Sequence, residues 1–416
     1  MLTEQQKNDF SEILETLGEN LDITETQYNA AISSYQNVGN WLSKEDSELK
    51  AYNPLIRPQG SFILGTIIQP ICEDDDLDID LVCELSKKKD SWTQFNLKEI
   101  VGNQLKSHKG LDDLLDEEGR RCWTLKYRKD SENIKERYHM DILPAIISEG
   151  YETILNESYK RMFDESDVSK LCLSITDKES KNYYTSTIPK EWLKSNPLGY
   201  AKWFFSRATI QTNKMFSINE AVRPVPSFQK NRFPLQRVVQ ILKRHRDIMY
   251  RDRKDKIDKP ISVIITTLVS KAYNKETNII EALINVINNM EYFIKDYNPI
   301  TEKREKYIEN PVNKEENFAD KWNEFPKREE NFYEWLKKVK DDVENMTSQS
   351  GYGLQRINES MQVPFGDELI KKTFNTYGLK IRNLSETNSL KVNVVSGAIG
   401  SVGINMKKNN FEGVNE

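Results

Sequence analysis

Gln59-Gly60-Ser61 and Asp74-Asp75-Asp76-Leu77-Asp78-Ile79-Asp80-Leu81-Val82-Cys83-Glu84-Leu85 decide how this chain reads. In an extended strand successive side chains fall on opposite faces. That puts Asp78, Asp80, Val82 and Glu84 on one side and Ile79, Leu81, Cys83 and Leu85 on the other, toward a core. Carboxylates side by side repel each other and raise their own pKa unless a cation stands between them. Hard oxygen donors suit Mg²⁺ or Mn²⁺. Upstream, Gly60 and Ser61 supply backbone N–H groups and a hydroxyl without bulk, the means by which a chain cradles phosphates. Metal carboxylates beside a phosphate cradle point to phosphoryl or nucleotidyl transfer. Asp74, Asp75 and Asp76 read as an acidic surface turn.

A third carboxylate follows. Residues 122–128 and 137–143 alternate with period two, and the turn-forming 129–133 between them predicts a hairpin. His139, Asp141 and Leu143 share a face of its second strand. Asp141 therefore reaches Asp78 and Asp80 if the two strands are neighbours. Three carboxylates can serve a two-metal site, whose ions lie about 3.5–4 Å apart and hold the attacking and leaving oxygens. His139 reads as a packing or supporting side chain rather than a base.

Outward from this stretch, helical periods occupy 3–18 and 24–50, and Asn53-Pro54 ends the second. Residues 55–57 form a strand into the Gly-Ser turn, and 96–110 a polar helix. After Pro189 come Trp192, Trp203, Phe204 and Phe205, then amphipathic helices. In 235–249 the residues Leu235, Val238, Val239, Leu242 and Met249 make one stripe, flanked by Lys243, with Arg246 inside it as a paired structural arginine. The next helix, 261–273, starts after Asp258-Lys259-Pro260 with proline near its first position. Ser262 then lies in a first turn that favours anions. Residues 332–343 form another helix. Lys303, Lys306 and Lys314 among acidic neighbours read as a solvated connector. The Gly- and Asn-rich stretch from 388 reads as a flexible tail. The chain divides into 1–190, a nucleotidyltransferase core with N-terminal helices; 191–385, a helical lobe; and 386–416, the tail. The expected fold is α+β and two-lobed, with the site in the cleft between a mixed sheet and the helices.

The 416 residues carry 60 basic and 65 acidic side chains, a formal charge of −5. That argues against a nucleic-acid coat, so no obligate nucleic acid is expected, while a local basic cleft stays open. Four cysteines without CxxC spacing argue against a zinc site or disulfide framework and for reduced thiols. The polar amphipathic N-terminus and the lack of any run near the ~20 apolar residues needed to span a bilayer lead to an expectation of a cytoplasmic protein off the membrane.

Gly60-Ser61, Asp78-x-Asp80 and a strand Asp141 resemble the DNA polymerase β-like nucleotidyltransferase superfamily. The Gly60-Ser61-Phe62 turn, Asp78-Ile79-Asp80-Leu81-Val82, His139-Met140-Asp141-Ile142-Leu143-Pro144-Ala145-Ile146, and the stretches 188–204 and 235–268 look like the bacterial CD-NTases. These are the cyclic GMP-AMP synthase-like enzymes of cyclic-oligonucleotide antiphage systems, and the resemblance covers roughly residues 50–385. It implies metal roles for Asp78, Asp80 and Asp141, with two ions, Mg²⁺ or Mn²⁺. It implies that Gly60 and Ser61, with Gln59 at the head of their turn, hold the donor triphosphate, and that Lys243 and Ser262 contact phosphates from the helical lobe. The sixteen residues from 62 to 77 exceed the compact superfamily spacing, and 72–76 reads as an insertion. The implied activity joins NTP substrates into a cyclic di- or trinucleotide with release of pyrophosphate. The implied partners are a separate cyclic-nucleotide-activated effector and a regulatory protein. A linear oligonucleotide synthetase and a toxin modifying tRNA or protein share the core, and a catalytically silent nucleotide sensor is the reading from another class. A glycosyltransferase DxD is the weakest rival, since no nucleotide-sugar fold pattern accompanies it.

Overall fold

A computed structural model describes residues 2–71, 77–151, 171–209, 228, 230–387, 391–392, 399–400 and 404–405. Two amphipathic helices open it, α1 (Glu4–Leu21) and α2 (Glu25–Ser43). Each starts at a threonine that accepts from the third helical amide while a glutamine there answers back: Thr3 with Gln6, Thr24 with Gln27. The period expected over 24–50 stops early because Ser47 Oγ takes the carbonyl of Leu42 at 2.7 Å and turns the chain away. There follow β1 (Leu55–Pro58), α3 (Gly60–Leu64), β2 (Leu77–Leu85), α4 (Gln94–Lys106), α5 (Lys109–Asp112), β3 (Trp123–Tyr127), β4 (Tyr138–Ile147), β5 (Leu173–Ile175) and β6 (Lys194–Ser195).

The strands form a six-stranded sheet in the order β1-β2-β4-β5-β6, with β3 on the first half of β4. The expected hairpin is β3–β4, running from Trp123 opposite Ile142 to Tyr127 opposite Tyr138. The central pair, β2 and β4, is parallel, and the chain between them supplies the crossover that parallel pairing demands. Register sets Asp80 opposite Asp141 and Asp78 opposite His139. Both faces of β2 are covered. Ile79, Leu81, Cys83 and Leu85 pack with α4 and β3 through Leu97, Val101 and Trp123. Val82, with Leu143 and Ala145 of β4, joins a second core made by helices. A strand buried on both faces should be apolar throughout, so the two aspartates at its start stand out.

Those helices are α6 (Pro197–Ala208), α7 (Pro234–Tyr250), α8 (Ser262–Ala272) and α9 (Ile279–Asn289). After a hairpin, β7 (Glu309–Asn310) and β8 (Asn313–Asn317), come α10 (Asp320–Glu324), α11 (Pro326–Ser348), α12 (Leu354–Phe365) and α13 (Asp367–Glu386). The stretch read as a solvated connector thus holds ordered pairing. Two-residue strands at 391–392, 399–400 and 404–405 pair with one another. α1, assigned from sequence to the sheet-bearing half, packs instead on α7, α9 and α13: Phe10, Ile13, Leu14 and Leu17 share a core with Leu235, Val238 and Leu242. The fully buried Arg237 of α7 pairs with Glu15 and Asp22 of the N-terminal segment at 2.8 and 2.9 Å. The insertion expected at 72–76 and most of the tail expected at 386–416 lie outside the described residues. Among the described residues no helix is long and apolar enough to cross a membrane.

Candidate active site

β2 and β4 run side by side with the same polarity, so their alternating side chains line up in pairs. One face of their N-terminal ends presents Asp78 and Asp80 from β2, and His139 and Asp141 from β4. Ligand atoms of Asp78, His139 and Asp141 all lie within 4.8 Å of one another. His139 Nε2 stands 3.1 Å from Asp78 Oδ1, so the histidine read from sequence as a supporting side chain is close enough to be a ligand itself. Its place two residues before Asp141 on one strand face was the signal for that. Thr124 Oγ1 of β3 donates to Asp141 Oδ1 at 2.5 Å and fixes that carboxylate from behind.

Asp80 is set deeper. Burial, with Asp78 and Asp141 alongside, pushes its carboxyl up to about 7. Three carboxylates gathered together need positive charge between them, and oxygen donors with one imidazole are a set that holds divalent cations such as Mg²⁺ or Mn²⁺. The residues present fit a divalent ion.

Gly60 faces this group as the first residue of α3. Its φ is +59°, and a Cβ there would come within 2.1 Å of Asp80 Oδ2. Only glycine allows that approach at that backbone angle. Gln59 precedes the helix and holds the turn to β2 through its amide, which donates to Asp80 O at 2.8 Å. Gly60, Ser61, Asp78, Asp80 and His139 border one cavity of about 640 Å³, which Lys243 of α7 and Ser262 of α8 also line. Asp141 stands behind these, against Thr124.

Lys243 is buried on α7, where Nζ donates to Thr66 O at 3.0 Å. Burial and the nearby Arg246 bring its ammonium down to about 8, against the pull of Asp247, Asp78 and Asp80. Ser262 is the first residue of α8, with Pro260 ahead of the cap rather than at the first helical position. Arg246 has the paired role expected: Nε donates to Asp247 Oδ1 at 2.8 Å, and Nη1 to Pro260 O at 3.0 Å and Ser262 Oγ at 2.9 Å. It thereby pins α8 to α7. Asp247 also takes Lys259 at 3.5 Å, and these partners hold its carboxyl below the ordinary range against burial.

Sequence reasoning missed the contributions of Thr66, Asp247, Tyr200, Asn310 and Glu316 to this cavity. Asp247 was legible as the acid next to Arg246. Asn310 and Glu316 were not, because their hairpin lacks an apolar alternation.

Residues 54–144, which include Gly60, Ser61 and all three aspartates, match the nucleotidyltransferase domain of the cyclic GMP-AMP synthase DncV-like family. A curated relative, the c-di-GMP synthase of Roseivirga ehrenbergii, is 24% identical over 373 residues, which span 88% of this chain and 87% of the relative. Among solved structures, the Bradyrhizobium diazoefficiens CD-NTase CdnG in complex with GTP has a TM-score of 0.62 at 18% identity, covering 88% of this chain and 97% of that one. Escherichia coli MS115-1 CdnC with ATP has a TM-score of 0.52 at 14% identity, covering 85% and 96%. These two likenesses confirm the α+β nucleotidyltransferase fold. The family match falls on the paired strands and the Gly-Ser turn, so residues 54–144 are a nucleotidyltransferase domain of the DncV-like kind.

Proposed function

We propose that this protein condenses nucleoside triphosphates into a cyclic di- or trinucleotide, releasing one pyrophosphate for each bond formed. The observation that carries this is the register of β2 on β4, which sets Asp80 beside Asp141 and Asp78 beside His139, in a cleft shared with Gly60, Ser61 and Lys243. The name of the Roseivirga relative supports a two-nucleotide ring with GTP among the substrates.

Asp78, Asp80 and Asp141, with His139, would hold the divalent ions, two of them Mg²⁺ or Mn²⁺. Bound there, such ions lower the pKa of an acceptor ribose hydroxyl and offset charge on the leaving oxygens. The acceptor oxygen bonds to the α-phosphorus of the donor, the bridge to the β-phosphate breaks, and a second such transfer closes the ring. The residues of this chain place the donor. Gly60 leaves room for phosphate oxygens next to Asp80, and Ser61 offers its amide and hydroxyl. Lys243, with its ammonium brought down to about 8, holds its proton more firmly as triphosphate charge arrives. Ser262 offers the free amides of the α8 N-terminus. In a cell this enzyme would work in the cytoplasm. Its product would act on a separate effector, under a regulatory protein, in antiphage defence.

The test is the double variant Asp78→Ala with Asp80→Ala, assayed for pyrophosphate release and for melting temperature. Release is lost while the melting temperature stays level or rises, since removing crowded carboxylates relieves repulsion. A variant that still turns over, or one that fails to fold whether or not metal is added, would make the acidic strand structural.

A further inference from the structure

Glu316 is out of place in a cleft built for phosphates. It lines the cavity that Asp78, Lys243 and Ser262 line, yet a carboxylate repels a triphosphate. It suits a part of the ligand that donates hydrogen bonds, in a nucleotide the ribose hydroxyls or the base, and the aromatic rings Tyr200 and Phe318 in the same cavity favour the base. Its surroundings fit a base. Asn310, 4% exposed, donates from Nδ2 to Glu316 Oε2 at 2.7 Å, while its own Oδ1 accepts from the amide of Val312 at 3.0 Å. That amide side chain is locked at both ends, and so it aims the carboxylate. Asn313 also donates to it, and Arg121 and Asp320 are the charged groups nearby.

Next to it stand two aromatic rings. Tyr200 and Phe318 both line the cavity, with ring centroids 6.3 Å apart and planes at 77°. The Tyr200 hydroxyl is tied to Thr267 Oγ1 at 2.8 Å, and the ring feels the charge of Glu316. Aromatic faces carry base stacking without choosing among bases. The choice falls to the carboxylate. An ionised carboxylate only accepts, through two oxygens on one edge. Guanine is the base whose pairing edge puts two N–H donors side by side, N1–H and the 2-amino group. Adenine and cytosine present an acceptor at the ring nitrogen, and uracil flanks its single N–H with carbonyls.

We infer that Glu316, positioned by Asn310 on the β7–β8 hairpin, selects a guanine nucleotide at a base subsite walled by Tyr200 and Phe318. This rests on the nucleotidyltransferase reading for its triphosphate, and it adds a base choice made by a part of the chain outside the matched domain. Two hydrogen bonds to a charged acceptor discriminate strongly, because a ligand lacking one leaves the carboxylate unpaired.

The experiment compares equilibrium binding of α,β-methylene-GTP with its inosine counterpart, which lacks only the 2-amino group. Full-length wild type, Glu316→Gln and Glu316→Asp are titrated with Mg²⁺ present, and their melting curves are compared. Wild type binds the guanine analogue roughly 10- to 100-fold more tightly. In Glu316→Gln the ratio falls toward one, and in Glu316→Asp, which keeps the carboxylate, a preference remains. Equal affinities in wild type, no binding of either analogue, or an unchanged ratio in a folded Glu316→Gln would overturn the assignment. Pyrophosphate release from the four natural NTPs separates this from the reading beneath it. A guanine preference without release from any NTP leaves the subsite standing and removes nucleotidyl transfer. Release without a preference does the reverse.

Discussion

Gly60 and Asp80 fit each other at the cost of any side chain on Gly60. A methyl group there would overlap Asp80 Oδ2 and would also have to adopt φ near +59°. Gly60→Ala should therefore displace the carboxylate by a sizeable fraction of an ångström. We expect pyrophosphate release to fall by about 100-fold or more, as misplacement on that scale does, while the protein still folds. Steady-state release alongside a melting curve checks both. Lys243 yields a pH dependence. Its folded pKa, about 8, lies below the ordinary 10.5. The cost of burying the cation is complete below about 8 and lifts as pH rises from there toward 10.5, because over that window the unfolded chain holds the proton that the folded one has lost. For the substrate the sign is opposite: above about 8 the free enzyme offers a neutral amine, and triphosphate binding weakens. KM for NTP should climb between pH 7.5 and 9 in wild type. In Lys243→Met it should be roughly tenfold higher throughout and flat over that range.

The two strands of the site were legible because a carboxylate at every second residue of an otherwise apolar segment is costly unless it serves a purpose. Their hairpin partner was legible from its turn residues. The parallel adjacency of β2 and β4 was not, since nothing in a period-two pattern says which strand lies next to which; the expectation for Asp141 was conditional on it. The same gap explains α1. The stripe Phe10, Ile13, Leu14 and Leu17 announces a buried face without naming its partner, and the structure shows it against α7 rather than the sheet. β7–β8 was missed because Asn313-Lys314-Glu315-Glu316-Asn317 has the composition of a solvated turn. What orders it is a set of side-chain hydrogen bonds, among them one that Asn310 Nδ2 donates to Glu316 and one that the amide of Ile308 donates to Asn317 Oδ1. The contact between α1 and α7 has its own test. Arg237 is fully buried between Glu15 and Asp22, so Arg237→Ala takes the guanidinium from Glu15 and leaves Asp22 to Gln240 and Arg232. Urea unfolding should show a loss of about 3–5 kcal/mol. A change below 1 kcal/mol would mean that the apolar stripe alone holds α1.

As a whole the molecule has two cores that meet at β2, whose opposite faces feed one each. The cleft lies where the acidic ends of β2 and β4 meet α7 and α8, so a substrate bound there would touch both cores at once. The net charge of −5 places no general attraction for polyanions on this surface. On the proposed reading, affinity for triphosphates would come from the few cationic and amide groups inside the cleft, and from ions that the carboxylates would hold. The measurement that tests this account most directly is incubation of the purified protein with all four NTPs, one labelled at a time, in Mg²⁺ or Mn²⁺. Phosphatase treatment, chromatography and mass spectrometry then follow. The account predicts a phosphatase-resistant product with the mass of a cyclised di- or trinucleotide, labelled from GTP, and none from Asp78→Ala with Asp80→Ala. Label carried on RNA or protein, a ladder of linear oligomers, or no product with either metal would contradict it.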